Sequence, residues 1–247
     1  MKRLILLALL ALLVGGLRPA SADADVDRLL ADLDGDDFSR LSAALTALLR
    51  DKPPRVPRRL ADLLPSYGLM GRYYGILVIE AYPEKVARPV FASLAKGDDP
   101  YLRLASGRAL LKWGASNAVP LIVEALRTPG VPASERLYMV NRLHGVQEPP
   151  VRAALRAELD EAADIGFLGA VLWVLATEPA KEDRVAVRAL TTATRPDVRA
   201  LAAAYLLRHG EEEGTAILVE ALGSGDVEAS PLYRINSFLS QAGHVPK

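Results

Sequence analysis

The chain of 247 residues contains no cysteine. That excludes disulfides, cysteine-ligated zinc, iron–sulfur clusters, thiol catalysis and the acylated cysteine of a lipoprotein anchor. Histidine is scarce: His144, His209 and His244 fall in neither a His-x3-His nor a His-Glu-x-x-His spacing, so no metal-ligand set stands at recognisable intervals. Charge of one sign is not in excess. Thirty basic side chains face thirty acidic ones, whereas a general nucleic-acid binder needs a basic surplus for phosphate. Aromatic residues are only 6%. A long apolar run is missing too: residues 4–14 are eleven apolar residues, about 16 Å as a helix against a bilayer core of about 30 Å. The phosphate-loop pattern Gly-x4-Gly-Lys-Ser/Thr, a Gly-x-Gly-x-x-Gly after a strand, and a Gly-x-Ser-x-Gly elbow are all absent.

Alanine and leucine, both strong helix formers, make up about a third of the residues. With 51% hydrophobic and 24% charged residues the composition is that of a folded, all-α protein. The N-terminus reads Met1-Lys2-Arg3, the apolar run, Gly15-Gly16, then Ala20-Ser21-Ala22. A charged start, an apolar stretch and an Ala-x-Ala site make residues 1–22 a secretory signal peptide. Cleavage is expected after Ala22, with Ala22-Asp23-Ala24 a second possible site. The expected mature chain, 23–247, is exported without a membrane span; in a bacterium that means periplasm or outside. It carries 27 basic side chains against 30 acidic ones, a net −3.

Two segments correspond at a distance of 96 residues without a gap. The first opens Asp99-Pro100-Tyr101-Leu102-Arg103, passes through Leu110-Leu111-Lys112-Trp113-Gly114 and closes Val123-Glu124-Ala125-Leu126. The second opens Arg195-Pro196-Asp197-Val198-Arg199, passes through Leu206-Leu207-Arg208-His209-Gly210 and closes Val219-Glu220-Ala221-Leu222. Anchoring on the closing leucine gives Leu64, Leu94, Leu126, Leu159, Leu190 and Leu222, at steps of 30, 32, 33, 31 and 32. Four residues before each anchor stand Leu60, Val90, Ile122, Leu155, Ala186 and Leu218; sixteen before stand Leu48, Val78, Leu110, Leu143, Val174 and Leu206. All twelve are apolar where composition predicts about half. Each unit therefore reads as two helices, for example residues 103–113 and 118–126. Gly114 and Gly210 sit where a helix ends, and Pro100 and Pro196 in first helical turns. Val26, Leu29, Leu30 and Leu33 form a stripe that reads as a lone second helix. Leu232, Ile235, Phe238 and Leu239, closed by Gly243, read as a lone first helix. These half-units cap the two ends.

The run Pro196-Asp197-Val198-Arg199-Ala200-Leu201-Ala202-Ala203-Ala204-Tyr205-Leu206-Leu207 resembles a HEAT repeat of the short phycobilisome-lyase type, and residues 99–126 match it as well. The other four units match by period. The resemblance implies an α-solenoid of about six two-helix repeats, with the second helices lining an inner surface that binds a protein or peptide. No cofactor and no metal are expected, because the ligand spacings and phosphate loops named above are missing. The lyase-type relatives handle tetrapyrroles inside the cell, so an exported chain is read as a non-enzymatic scaffold and as a monomer. The period also suits a tetratricopeptide adaptor, although the Trp-x2-Leu-Gly-x2-Tyr phrase is missing.

Candidate contact residues lie on the second helices. Two before the anchors stand Asp62, Ala92, Glu124, Ala157, Arg188 and Glu220; six before stand Arg58, Arg88, Pro120, Ala153, Arg184 and Ala216. Arg152 and Arg156 with Arg184 and Arg188 suggest a basic strip for an acidic segment, or else solvated faces with local partners. Arg103, Arg136 and Arg199 share one offset and suggest a ladder with neighbours such as Asp99 and Asp197. The segment 67–75 alternates glycine and tyrosine. Tyr67 and Tyr73 suit an aromatic contact surface, as for a glycan, or else glycines admit bulky neighbours in close packing.

Overall fold

The computed structural model describes residues 24–224 and 229–242. The expected signal segment, residues 1–22, and Gly243 and His244 lie outside the described residues. Among those described there are fourteen α-helices and no strand. No helix of the described residues is long and apolar enough to cross a membrane. The contacts divide the chain into two compact units, residues 1–115 and 116–247.

The first unit holds α1 (Ala24–Asp32), α2 (Phe38–Asp51), α3 (Val56–Leu63), α4 (Leu69–Glu80), α5 (Glu84–Leu94) and α6 (Pro100–Lys112). Asp37 opens α2 by accepting from the Ser39 and Arg40 amides, and Lys52 closes it at φ 44°. Asp99 opens α6 in the same way, accepting from the Leu102 amide at 2.8 Å, with Pro100 in the first turn. α2 packs on α1 and α4, α4 on α6, and α3 on α5. Helices of the same kind therefore touch one another in chain order.

The second unit holds α7 (Val119–Leu126), α8 (Ala133–Arg142), α9 (Pro149–Arg156), α10 (Ile165–Leu175), α11 (Lys181–Ala189), α12 (Pro196–Arg208), α13 (Gly214–Gly223) and α14 (Ala229–Ala242). α8 packs on α10, α10 on α12 and α14, and α12 on α14; separately, α7 packs on α9 and α9 on α11. Gly114 and Gly210 follow α6 and α12 at φ 79°, the left-handed conformation that glycine adopts at no steric cost.

All six residues sixteen before the anchors are buried. Four before, Leu60, Ile122, Leu155 and Leu218 are buried, while Val90 and Ala186 are partly covered. In α5 the inward stripe runs Ala87, Phe91, Leu94, and in α11 Val187 and Leu190 are buried. These short helices are rotated by the neighbours they meet, so a fixed offset drifts from the centre of the buried face. Two anchors depart from expectation. Leu159 lies in the turn after α9, and Leu222 is 39% exposed because the packing partner of α13 is α12, with no further second helix beyond it. In the helix that follows, α14 buries Ile235 and Phe238 but leaves Leu232 and Leu239 exposed.

Candidate functional site

The four arginines of the expected strip do not share one exposed surface. Arg152, on α9, is only 4% exposed, and the reason is Asp183 of α11, which is 0% exposed. Asp183 Oδ2 accepts from Arg152 Nε at 3.1 Å, from Arg152 Nη2 and from the Ala180 amide at 2.8 Å; Oδ1 accepts from Arg156 Nη1 at 2.6 Å. Arg152 completes its fork on Gln147 Oε1 at 2.9 Å and on the Leu175 carbonyl at 2.8 Å. This planar, many-donor arrangement is what a guanidinium offers and an ammonium does not. Arg156 is 23% exposed and has one such bond, so the rest of its guanidinium borders a cleft of about 600 Å³. Gln147, Pro149, Arg152, Glu178 and Glu182 line the same cleft.

Arg184 and Arg188 form a second node. Arg184 Nε stands 3.6 Å from Glu211 Oε1. Arg188 bonds Glu211, and its Nε reaches Glu213 Oε1 at 2.6 Å. The Glu213 hydrogen bond, then the charge of Glu211, holds the Arg188 guanidinium above its ordinary value. Each node ties an α11 residue to the next structural piece, α9 in one case and the turn before α13 in the other.

Asp183 was hidden in the run Lys181-Glu182-Asp183-Arg184, which reads as a solvated charge run. The signal that finds it is the register: Arg152 and Asp183 each lie seven residues before an anchor, Leu159 and Leu190. Pro57 and Ala87 occupy that offset earlier in the chain and are buried. At the same offset Val119 is half-buried and Thr215 exposed, so the position is inward in four of the six units, and two successive ones place opposite charges there.

The other expected residues are placed as follows. Arg58 is exposed on α3. Arg88 pairs with Glu84 at 2.7 Å and donates to the Trp113 carbonyl at 3.2 Å. Tyr67 donates to the Leu30 carbonyl at 2.8 Å, and burial, then the charge of Asp34, pushes its hydroxyl up to about 12. It fastens α1 to the start of α4. Tyr73 is half-buried and meets Tyr74 edge to face at 5.2 Å. The glycines between admit neighbours: Gly75 takes Leu64 and Gly71 takes Asp34, where a Cβ has no room. Asp34 also accepts from the Gly68 amide at 2.7 Å, capping α4 from a distance.

Arg103 and Arg199 make an equivalent bond to the turn before their helices. Arg103 donates to the Gly97 carbonyl and Arg199 to the Ala193 carbonyl, each six residues back, fixing the turn before the helix. The aspartates have other arginines: Asp99 pairs with Arg72, and Asp197 with Arg195 at 2.7 Å. Arg136 pairs with Glu158 and lies 4.6 Å from the Phe167 ring. Among the described residues no group of three or more His, Asp or Glu is placed to hold a metal.

No family model, no curated protein and no solved structure matches this chain. The HEAT-like resemblance therefore rests on the sequence phrases alone.

Proposed function

We propose that the protein is an exported, HEAT-like α-solenoid whose second helices present a binding surface to a protein or peptide. The observation that carries this reading is the state of the positions two before the anchors. Asp62, Ala92, Glu124, Ala157, Arg188 and Glu220 are all exposed, one on or next to each second helix, while the opposite faces are buried. A repeating row of outward side chains of mixed sign and small size suits an extended partner. Repeat stacks bind in this way because each unit adds one short stretch of contact. The ion-pair nodes of Arg152–Asp183 and Arg188–Glu211 support it, since they hold successive second helices in register and keep their surfaces preorganised.

A photo-crosslinking residue placed at 124, 188 or 220 in the exported protein tests the reading. The expected result is one shared polypeptide captured from these positions but not from Phe38, an exposed residue of α2. With that polypeptide purified, Arg188→Glu should weaken binding by at least about ten-fold, roughly 1.4 kcal/mol. Equal capture from Phe38, or none from all three positions, contradicts the reading. Export is checked separately: the N-terminal sequence of the secreted form should begin at Asp23 or Asp25.

A further inference from the structure

The cleft beside Arg156 lies between two successive second helices. One wall is a single face of α9, where Pro149, Arg152 and Arg156 recur at i, i+3 and i+7. The other wall is the turn before α11 with the start of that helix, and it carries Glu178, Pro179 and Glu182. Its volume of about 600 Å³ is that of a ligand cleft. The two arginines differ in what they have left to give. Arg152 spends Nε, Nη1 and Nη2 within the protein. Among the described residues Arg156 donates through Nη1 alone, to Asp183 Oδ1 at 2.6 Å, and its side chain is 23% exposed. That leaves Nε and Nη2, a side-on fork in one plane, for an acceptor in the cleft. Neither is a covered atom lacking a partner. Asp183 holds the guanidinium in place, so a second acceptor meets a preorganised donor.

The charges around the cleft are of both signs. Arg152, Arg156 and the buried Asp183 sum to one positive charge, and the exposed Glu178 and Glu182 of the other wall are negative. A run of acidic residues is repelled by the two glutamates, and a run of basic residues by the guanidinium. A segment that carries both signs satisfies both walls. The rings of Pro149 and Pro179 give it apolar surface to pack on. On the reading that the second helices form the binding surface, we propose that this cleft docks a polypeptide segment of mixed charge. One Asp or Glu side chain of the segment binds Arg156, and a neighbouring Lys or Arg meets Glu178 and Glu182. A carboxylate matches the open guanidinium fork with two parallel bonds.

Short random peptides displayed on phage are selected against the purified protein. The expected result is enrichment of peptides that share an Asp or Glu with a Lys or Arg beside it. For an enriched peptide, Arg156→Gln should raise Kd by at least about ten-fold. Replacing the peptide's acidic residue by its amide should do the same. The loss with both changes should be smaller than the product of the two, which marks a direct contact. Glu182→Gln should weaken the same peptide by about two- to five-fold, as for an exposed ion pair. If Arg156→Gln melts early by circular dichroism, Arg156→Lys replaces it: the charge remains and the fork is lost, so binding should still weaken. No enriched peptide, enriched peptides without a shared acidic residue, or losses that multiply independently overturn the proposal. The polypeptide captured from positions 124, 188 and 220 separates the two readings. If it binds Arg156→Gln as tightly as the wild type, the cleft is not its docking site although the second-helix surface stands.

Discussion

Asp183 accepts four hydrogen bonds, three of them from Arg152 and Arg156, and has no exposed surface. Removing the carboxylate strands Arg152 as an uncompensated buried charge. Asp183→Ala should therefore cost about 3–5 kcal/mol in urea unfolding. Arg156→Gln should cost less, about 1 kcal/mol, because Arg152 still answers the carboxylate and Arg156 is partly in water. Equal losses for the two variants contradict this hierarchy. His209 makes a second residue-level case. Burial, then Arg208 and Arg184, lowers its ring from 6.5 to about 4. The unfolded chain takes up a proton in that window and the folded chain does not. Stability is therefore complete above about pH 6.5 and declines as the pH falls toward 4, by on the order of 1 kcal/mol after solvent screening. Between pH 7 and 5 the wild-type melting temperature should fall further than that of His209→Gln; parallel falls would show that His209 does not carry the effect. Hydrophobic spacing marked neither residue. A lone histidine carries no spacing, and Asp183 stands beside the exposed Lys181 and Glu182, so only its offset from the anchor leucine sets it apart.

Helix ends and close approaches set what each element tolerates. Gly214 opens α13, where a Cβ would stand 2.7 Å from the Ala203 carbonyl oxygen and 2.9 Å from Leu207 Cγ. The first obstacle is backbone and does not rotate away. Gly214→Ala should lower stability by about 1–3 kcal/mol although alanine is the better helix former. Gly223 closes the same helix with nothing within 4 Å of its would-be Cβ, and Gly223→Ala should raise stability by about 0.5 kcal/mol. Thermal melts of the pair check the sign directly, and two changes of the same sign contradict the packing of α12 on α13. At this scale the sequence was informative. Proline in first turns, glycine after α6 and α12, and the buried residues sixteen before each anchor follow from local chemistry and a 3.6-residue period. What it missed was the rotation of the short second helices, since the exposure of Leu222 and the half-cover of Val90 depend on which neighbour is present. The glycine–tyrosine segment belongs here too. Gly75 is explained by the nearby Leu64, but Gly71 by Asp34 and Tyr67 by a carbonyl on α1, partners more than thirty residues away.

For the whole molecule, the packing order within each unit, like helix on like helix, is the arrangement from which a solenoid is built. That order repeats with the sequence period of about 32 residues, which is why the all-α class and the helix pairs were readable from leucines alone. The charge nodes were not, because complementary charges in successive units leave no mark on a hydrophobic pattern. The central proposal is that these pairs continue as one elongated stack that offers a partner an extended surface. Small-angle X-ray scattering of residues 23–247 measures this most directly. A compact body of its length has a radius of gyration of about 17–18 Å. A solenoid requires a value above about 20 Å with a skewed, long-tailed distance distribution, and a symmetric distribution near 17 Å contradicts it.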